Sequence, residues 1–366
     1  MRIGIDCRAY GENHGYRGIY IENLISYLDQ NEDMNEYMLF FNDREFGDFV
    51  PKSSRIHIVK TSIQIESISE QILFSRELLR ESLDHMFFLH PCIPFLYHKK
   101  TTLLLIDLVA YFYPEKHLKG GLLQYWKGFL LRHSIRKSDT VIVLSEVLKH
   151  DLIEIFDIQE EKISVIPPMF PENEKIHTGK ENEIQQFLLK EGISKKYILS
   201  VGELREYKNI PRLLQAYNIF LKESGEDIDL VLVGKEDPTY HEVRSTIIQL
   251  GLQNRVHIYN MLDVTQMRLL YPNALFFVLS SLYESSELVL LMAMAYELPM
   301  ASAILPSITN ILSKEDVVFF RPMSIPDIQS AFMQVLIKPL GKQKKKDMDK
   351  YSISSVSKKI VEMFSK

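Results

Sequence analysis

Little in this sequence points toward staples, metal clusters or membrane spans. Two cysteines, Cys7 and Cys92, are all that 366 residues contain. That is too few for a disulfide framework or a thiolate metal site, and it suits a reducing cytoplasm. The longest apolar run, residues 103–113, is interrupted by Asp107 and falls short of the roughly 20 residues a spanning helix needs. The opening Met1-Arg2-Ile3-Gly4-Ile5-Asp6 turns polar too soon for a secretory signal. A basic excess is missing too: 43 Lys and Arg stand against 48 Asp and Glu, for a net charge of −5. A general nucleic-acid binder is therefore not expected. The expected location is the cytoplasm, either free or peripherally on the inner face of a membrane.

What is present is an ordinary globular balance, 46% hydrophobic and 25% charged, on a chain long enough for two domains with separate cores. Short apolar strands are expected at 3–5, 37–41, 56–60, 86–89, 101–106, 140–144 and 163–166. Helical patterns such as 18–28 separate them, which is the signature of a parallel sheet covered on both faces. Ser145 is placed to cap a helix beginning at Glu146. Pro167, Pro168 and Pro171, followed by the polar run 172–183, read as a surface linker. The alternation then restarts at 197–201, 230–233, 256–259 and 275–279. The fold class expected is α/β, with two doubly wound, Rossmann-like domains. They would span 1–170 and 196–345, with a linker at 171–195 and a helical segment in 346–366. The charged stretch 342–350 reads as a solvated connection. Gly11, Gly15 and Gly18 do not make the G-x-G-x-x-G spacing of a dinucleotide-dependent oxidoreductase.

Two segments carry chemistry. In Val201-Gly202-Glu203-Leu204-Arg205-Glu206-Tyr207-Lys208-Asn209 a strand ends at a glycine and turns toward a helix starting near Pro211. Amides at such a junction can hold an anion, and Lys208 would add a full positive charge. In the second, the strand 275–279 runs into Ser280-Ser281-Leu282-Tyr283-Glu284. A Leu-, Met- and Ala-rich helix follows, then Leu298-Pro299 and a further short strand. Between them lie the Leu230–Gly234 strand, a helix over 241–250, and Gly251-Leu252-Gln253-Asn254-Arg255-Val256.

In this order and spacing, the segments resemble the donor domain of family four nucleotide-sugar glycosyltransferases, of the glycosyl transferases group 1 type. Residues 1–23 (MRIGIDCRAY…GYRGIYIEN) are similar to that family's opening strand, glycine loop and helix. Residues 139–151 (DTVIVLSEVLKHD) and 162–168 resemble the last strands of its first domain. The resemblance covers nearly the whole chain. It implies a GT-B fold, with two Rossmann-like domains facing across a cleft, the first on the acceptor side and the second binding the nucleotide-sugar. It also implies a last helix returning to the first domain.

The resemblance further implies roles. Lys208 matches the phosphate lysine and Glu284 the glutamate that meets the donor sugar, and these two carry the catalytic assignment. Gly15, Arg17 and Gly18 resemble the glycine loop that closes over the donor. Gly202, Arg205, Ser285, Ser286, Glu287 and Leu288 fall at the remaining donor-binding positions, and Asp107 is the acceptor-side candidate. No metal and no cofactor are implied, since the nucleotide-sugar is a substrate.

Four positions depart from the pattern. Glu203 stands where many members place a second phosphate-binding arginine. Ile106 replaces the histidine of a His-Asp pair, Met292 replaces a ribose-binding glutamate, and Glu287 falls where glycine is preferred. Losing a charge-assisted pair to the ribose should cost about 1.5–3 kcal/mol. A carboxylate about 5 Å from a phosphate charge would cost on the order of 3 kcal/mol at an effective dielectric near 20. Together these could remove a thousandfold or so of donor affinity.

Two functions follow. One is a retaining transferase that moves a hexose-type sugar from a nucleotide diphosphate onto a glycan or lipid-linked acceptor. The other is a degenerate GT-B protein that serves as binding or scaffolding partner of an active glycosyltransferase. Residues 115–137 hold six Lys or Arg against one Glu, interleaved with Leu122, Leu123, Trp126, Phe129 and Leu130. They read either as a basic amphipathic helix for an anionic membrane or as a packed helix of the first domain. The bland readings are a solvated Lys208, a loop carboxylate at Glu284, and core side chains at Ile106 and Met292. His14, His90 and His133 have no sequence neighbours suggesting a triad or metal site.

Overall fold

A computed structural model of the chain describes residues 1–11, 14–43, 49–114, 120–170, 181–193, 196–260, 262, 264–286, 288–337 and 348–364. The first sheet grows from strands with apolar residues on both faces. Along the second of them Tyr37, Leu39 and Phe41 enter one hydrophobic core, while Met38 and Phe40 enter another on the opposite face. A strand buried on both sides reads as a continuous apolar run, the mark of a parallel sheet sandwiched by helices. The elements in order are β1 (Arg2–Asp6), α1 (Gly15–Gln30), β2 (Glu36–Asn42), β3 (Ile56–Thr61), α2 (Ser75–Arg80), β4 (His85–Phe88), β5 (Lys100–Leu105), α3 (Val109–Phe112), α4 (Leu122–Lys137), β6 (Thr140–Val143), α5 (Glu146–Phe156) and β7 (Ile163–Val165). A π-helical turn, Glu70–Phe74, leads into α2. All seven strands are parallel, in the order β3-β2-β1-β4-β5-β6-β7. The Ser145 hydroxyl accepts the Leu148 N–H at 3.1 Å, the cap expected of it.

The second sheet repeats the plan. Its elements are α6 (Glu181–Lys190), β8 (Lys196–Val201), α7 (Ile210–Ser224), β9 (Ile228–Val233), α8 (Glu242–Gln249), β10 (Val256–Tyr259), α9 (Val264–Leu270), β11 (Phe276–Leu279), α10 (Leu288–Ala295), β12 (Met300–Ala303), α11 (Pro306–Thr309), β13 (Val318–Phe320) and α12 (Ile325–Ile337). The six strands are parallel, in the order β10-β9-β8-β11-β12-β13.

The chain divides into two compact units. One contains Met1–Pro114, Leu118–Glu172 and Asp347–Lys366; the other contains Asn173–Lys346. The last helix, α13 (Ile353–Phe364), belongs to the first unit. Its Val356, Ile360 and Phe364 join the core that also holds Ile21, Leu24 and Leu28 of α1. The Phe364 ring lies 5.3 Å from His85 and 5.5 Å from Phe87.

Three features were not read from the sequence. Helix α6 lies inside the stretch 171–195 taken as linker, and β13 and α12 carry the second sheet past the last expected strand. Residues 171–180 of the polar run and 342–347 of the charged connection lie outside the described residues. Among the described residues, no helix is long and apolar enough to cross a membrane.

Candidate active site

The site in the second unit begins where β8 ends. Gly202 adopts φ +141°, and a Cβ there would come within 2.6 Å of Lys208 Cε and 2.7 Å of its Nζ. The bare backbone lets the lysine fold back across the strand end. Lys208 closes a 3-10 turn, Glu206–Lys208, and Asn209 follows in the left-handed region at φ 59°.

That turn is stitched to the loop after β11. The Ser280 hydroxyl donates to the Lys208 carbonyl at 2.7 Å, and the Leu282 N–H donates to the Tyr207 carbonyl at 2.7 Å. The Asn209 amide donates to the Ser280 carbonyl at 3.1 Å and the Pro322 carbonyl at 2.7 Å, while Arg212 donates to Asn209 Oδ1 at 2.9 Å. With both loops held, Lys208 Nζ meets Glu284 Oε1 at 2.6 Å, with side chains only 6% and 9% exposed. Ser281 Oγ donates to the same carboxylate oxygen at 2.5 Å, and the ammonium lies 5.1 Å from the Tyr207 ring centroid. The two residues assigned to catalysis, far apart in sequence, thus form one nearly buried ion pair. Such a pair holds its geometry strongly, because loss of either partner strands a buried charge, at about 3–5 kcal/mol. It is also chemically divided: the ammonium suits a phosphate, and the carboxylate suits sugar hydroxyls.

Other expected residues gather nearby. Ser285 and Ser286 are buried, and Leu288 opens α10. Arg205 lies 3.5 Å from the Glu203 carboxylate and 3.8 Å from Asp237. The acid that departs from the arginine pattern is thus countered locally, by an interaction that brings in Asp237 as well. Glu287 lies outside the described residues. Met292 is half-buried on α10 and does not join Leu290, Leu291, Ala293 and Met294 inside, so the core reading fails for it. Ile106, in contrast, packs into the first core. Sequence reasoning missed Asn209, Ser280 and Ser281 as organisers of the site; Asn209 directly after the phosphate-lysine position was the available signal.

In the first unit, Gly15 has φ +58°. A Cβ on Gly18 would fall 1.8 Å from the Gly11 carbonyl oxygen, so α1 starts in direct backbone contact with the preceding loop. Arg17 is half-buried, and its Nε is enclosed without a hydrogen-bond partner. Burial lowers its guanidinium pKa, opposed by the carboxylates of Asp107, Glu66 and Asp6. Asp107 Oδ1 accepts the Val109 N–H at 2.9 Å, close to the start of α3. Behind them a buried network joins the Arg8 guanidinium to Asp6 at 2.8 Å and Glu70 at 2.5 Å. Helix α4 is buried along one side, as expected of a packed helix of the first domain. Leu130, Ser134 and Ile135 are buried, while Leu122 and Tyr125 are 91% and 72% exposed. Trp126 and Phe129 cluster with Phe95 on its surface. Residues 115–119 lie outside the described residues. Among the described residues, no group of three or more His, Cys, Asp or Glu is placed to hold a metal ion.

Two Rossmann-like units, each built on an all-parallel sheet, define a protein of the GT-B fold. An Anabaena protein, HepE, solved in complex with UDP-glucose, matches with a TM-score of 0.74 at 14% identity, over 100% of this chain and 99% of that one. Residues 180–354 match the model of the family described as glycosyl transferases group 1. The O-antigen chain mannosyltransferase RfbU of Salmonella typhimurium is 22% identical over 246 residues, 67% of this chain and 63% of the relative. The alpha-monoglucosyldiacylglycerol synthase of Streptococcus pneumoniae is 27% identical over 214 residues, 57% of this chain and 46% of the relative. The chain thus spans less than two thirds of the length of these curated relatives.

Proposed function

We propose that the protein is a retaining glycosyltransferase that moves a hexose-type sugar from a nucleotide diphosphate to a glycan or lipid-linked acceptor. The observation that carries this reading is the Lys208–Glu284 pair, held at 2.6 Å beyond the carboxyl ends of β8 and β11. Lys208 neutralises the departing diphosphate, and Glu284, released from it, accepts hydroxyls of the donor sugar. Gly202, Ser285, Ser286, Leu288 and Glu287 complete the donor side, and Arg205 offsets Glu203. Gly15, Arg17 and Gly18 serve the donor from the first domain (1–170), which takes the acceptor near Asp107. The reading calls for no metal or other cofactor, since charge on the leaving group is met by Lys208.

The relatives' names, a mannosyltransferase and a monoglucosyldiacylglycerol synthase, support a hexose donor and leave room for a lipid-bearing acceptor. The exposed apolar face of α4, with Lys127, Arg132 and Arg136 on the same helix, supports peripheral contact with an anionic membrane from the cytoplasmic side. A degenerate partner of an active transferase is the competing reading. The Glu203–Arg205 contact weighs against it, because one of the acids held to repel phosphate is already countered.

Calorimetric titration with UDP, GDP, ADP and dTDP, then with their sugar conjugates, tests the proposal. One nucleotide is expected to bind, with affinity reduced about 10- to 150-fold in Lys208→Ala, the span of one lost charge-assisted contact. Silence across the whole panel would overturn the proposal and leave the partner reading.

A further inference from the structure

Five half-buried polar side chains converge at the carboxyl edge of the first sheet, each from a different element. Arg17 stands in the first turn of α1, Glu66 in the loop after β3, His90 after β4, Asp107 after β5 and Lys127 on α4. The Glu66 carboxylate meets Lys127 Nζ at 2.8 Å and His90 Nε2 at 3.6 Å. Strands β1 and β4 are neighbours here, and the chain winds outward from them in opposite directions. In open parallel sheets the crevice outside such a switch point is where ligands sit.

Glu66 shows that the arrangement is built. It holds φ +63°, a conformation uncommon for a residue with a side chain, and strain of this kind concentrates at functional sites. Its N–H is locked at 2.8 Å onto Glu70 Oε2. Glu70 is in turn fixed by Arg8, at 2.5 Å, and by the Cys92 thiol, at 2.8 Å. A fully buried charge network therefore fixes the loop that presents one partly exposed carboxylate. Arg17 Nε and His90 Nδ1 are enclosed beside it without a hydrogen-bond partner among the described residues, which buried polar atoms seldom tolerate without a ligand or water.

The charges select the ligand's chemistry. Arg17 and Lys127 balance Glu66 and Asp107. His90 is neutral, its pKa held well below the usual value by burial and by Arg17, Arg8, Lys127 and His14. A phosphate would meet two carboxylates. A hydroxyl-rich ring meets acceptors and donors in alternation.

We infer that this cluster seats a sugar ring of the acceptor, with Glu66 as the specificity-determining residue that accepts hydrogen bonds from two adjacent hydroxyls. His90 Nδ1 meets one of the ring's remaining hydroxyls. The inference rests on the glycosyl-transfer reading for its meaning, and its test is separate.

Saturation-transfer NMR on the full chain, with methyl glycosides of mannose, glucose, galactose and N-acetylglucosamine, reads the site directly. At least one glycoside is expected to bind the native protein. Glu66→Gly removes the carboxylate and relieves the left-handed strain. It should weaken that binding about tenfold or more while the melting temperature holds and nucleotide affinity is unchanged. Should that variant fail to fold, Glu66→Gln is expected to weaken glycoside binding in the same direction. No glycoside response from a protein that still binds its nucleotide would overturn this inference alone. Inorganic phosphate bound more tightly by Glu66→Gly than by the native chain would overturn it in favour of an anion site. Loss of nucleotide binding in every form, with the glycoside response intact, would overturn the transferase reading instead.

Discussion

At the ends of β8 and β9, Gly202 and Gly234 look alike in sequence and differ in what they protect. A Cβ on Gly234 would fall 1.9 Å from the Gly202 carbonyl oxygen, a collision of backbone that nothing can relieve. A Cβ on Gly202 would instead push against the far end of Lys208, a flexible side chain that can swing away. Gly202→Ala should therefore remain folded, losing about 1 kcal/mol or somewhat more to its positive φ. It should lose nucleotide affinity nearly as far as Lys208→Ala does, since the ammonium is driven from its place beside Glu284; calorimetry on the two variants side by side makes the comparison. His85 supports a second prediction at this scale. It is buried against Phe364 with Nε2 at 2.9 Å from Thr102 Oγ1. Burial, aided by Lys100 and opposed by Asp139, lowers its pKa to about 4. Between that value and the ~6.5 of an unfolded histidine, the unfolded chain binds the extra proton. The contribution is thus complete above about pH 6.5 and is lost as pH falls toward 4, on the order of 3 kcal/mol in all. Urea denaturation across this window should show stability falling with acid, and His85→Gln should flatten the difference.

At the scale of elements, α13 contributes to the first core through Val356, Ile360 and Phe364. Phe364→Ala should cost about 3–5 kcal/mol, the range for emptying a buried aromatic site. A smaller shift in the denaturation midpoint would mean that α13 is not integral to that core. Elements were legible wherever burial on both faces imposed a continuous apolar run, which is why all the strands expected in the first half occur within a residue or two of their expected ends. Helix α6 was not legible. Its ENEIQQFLLK begins polar after a proline-rich approach, and its apolar residues fall together only once wound into turns. Lys208 and Glu284 were readable because each sits at a fixed place after a strand. Ser280 was not, because it acts by bonding to a backbone carbonyl, which leaves no trace in residue type. The Glu66 cluster was invisible for a third reason: five loops and helices each supply one member, so only the folded sheet edge brings them together.

For the molecule as a whole, the two units are unequal in how the chain builds them. The second lies almost wholly in one stretch, Asn173–Lys346, whereas the first is completed by Asp347–Lys366, from beyond it. A ribosome therefore makes every strand of the first sheet, then the whole second unit, before α13 exists. Until then the face formed by Ile21, Leu24 and Leu28 lacks its cover. The first unit must wait, incomplete and sticky, through the synthesis of its neighbour, which makes the nascent chain rather than the finished one the form most in need of a chaperone.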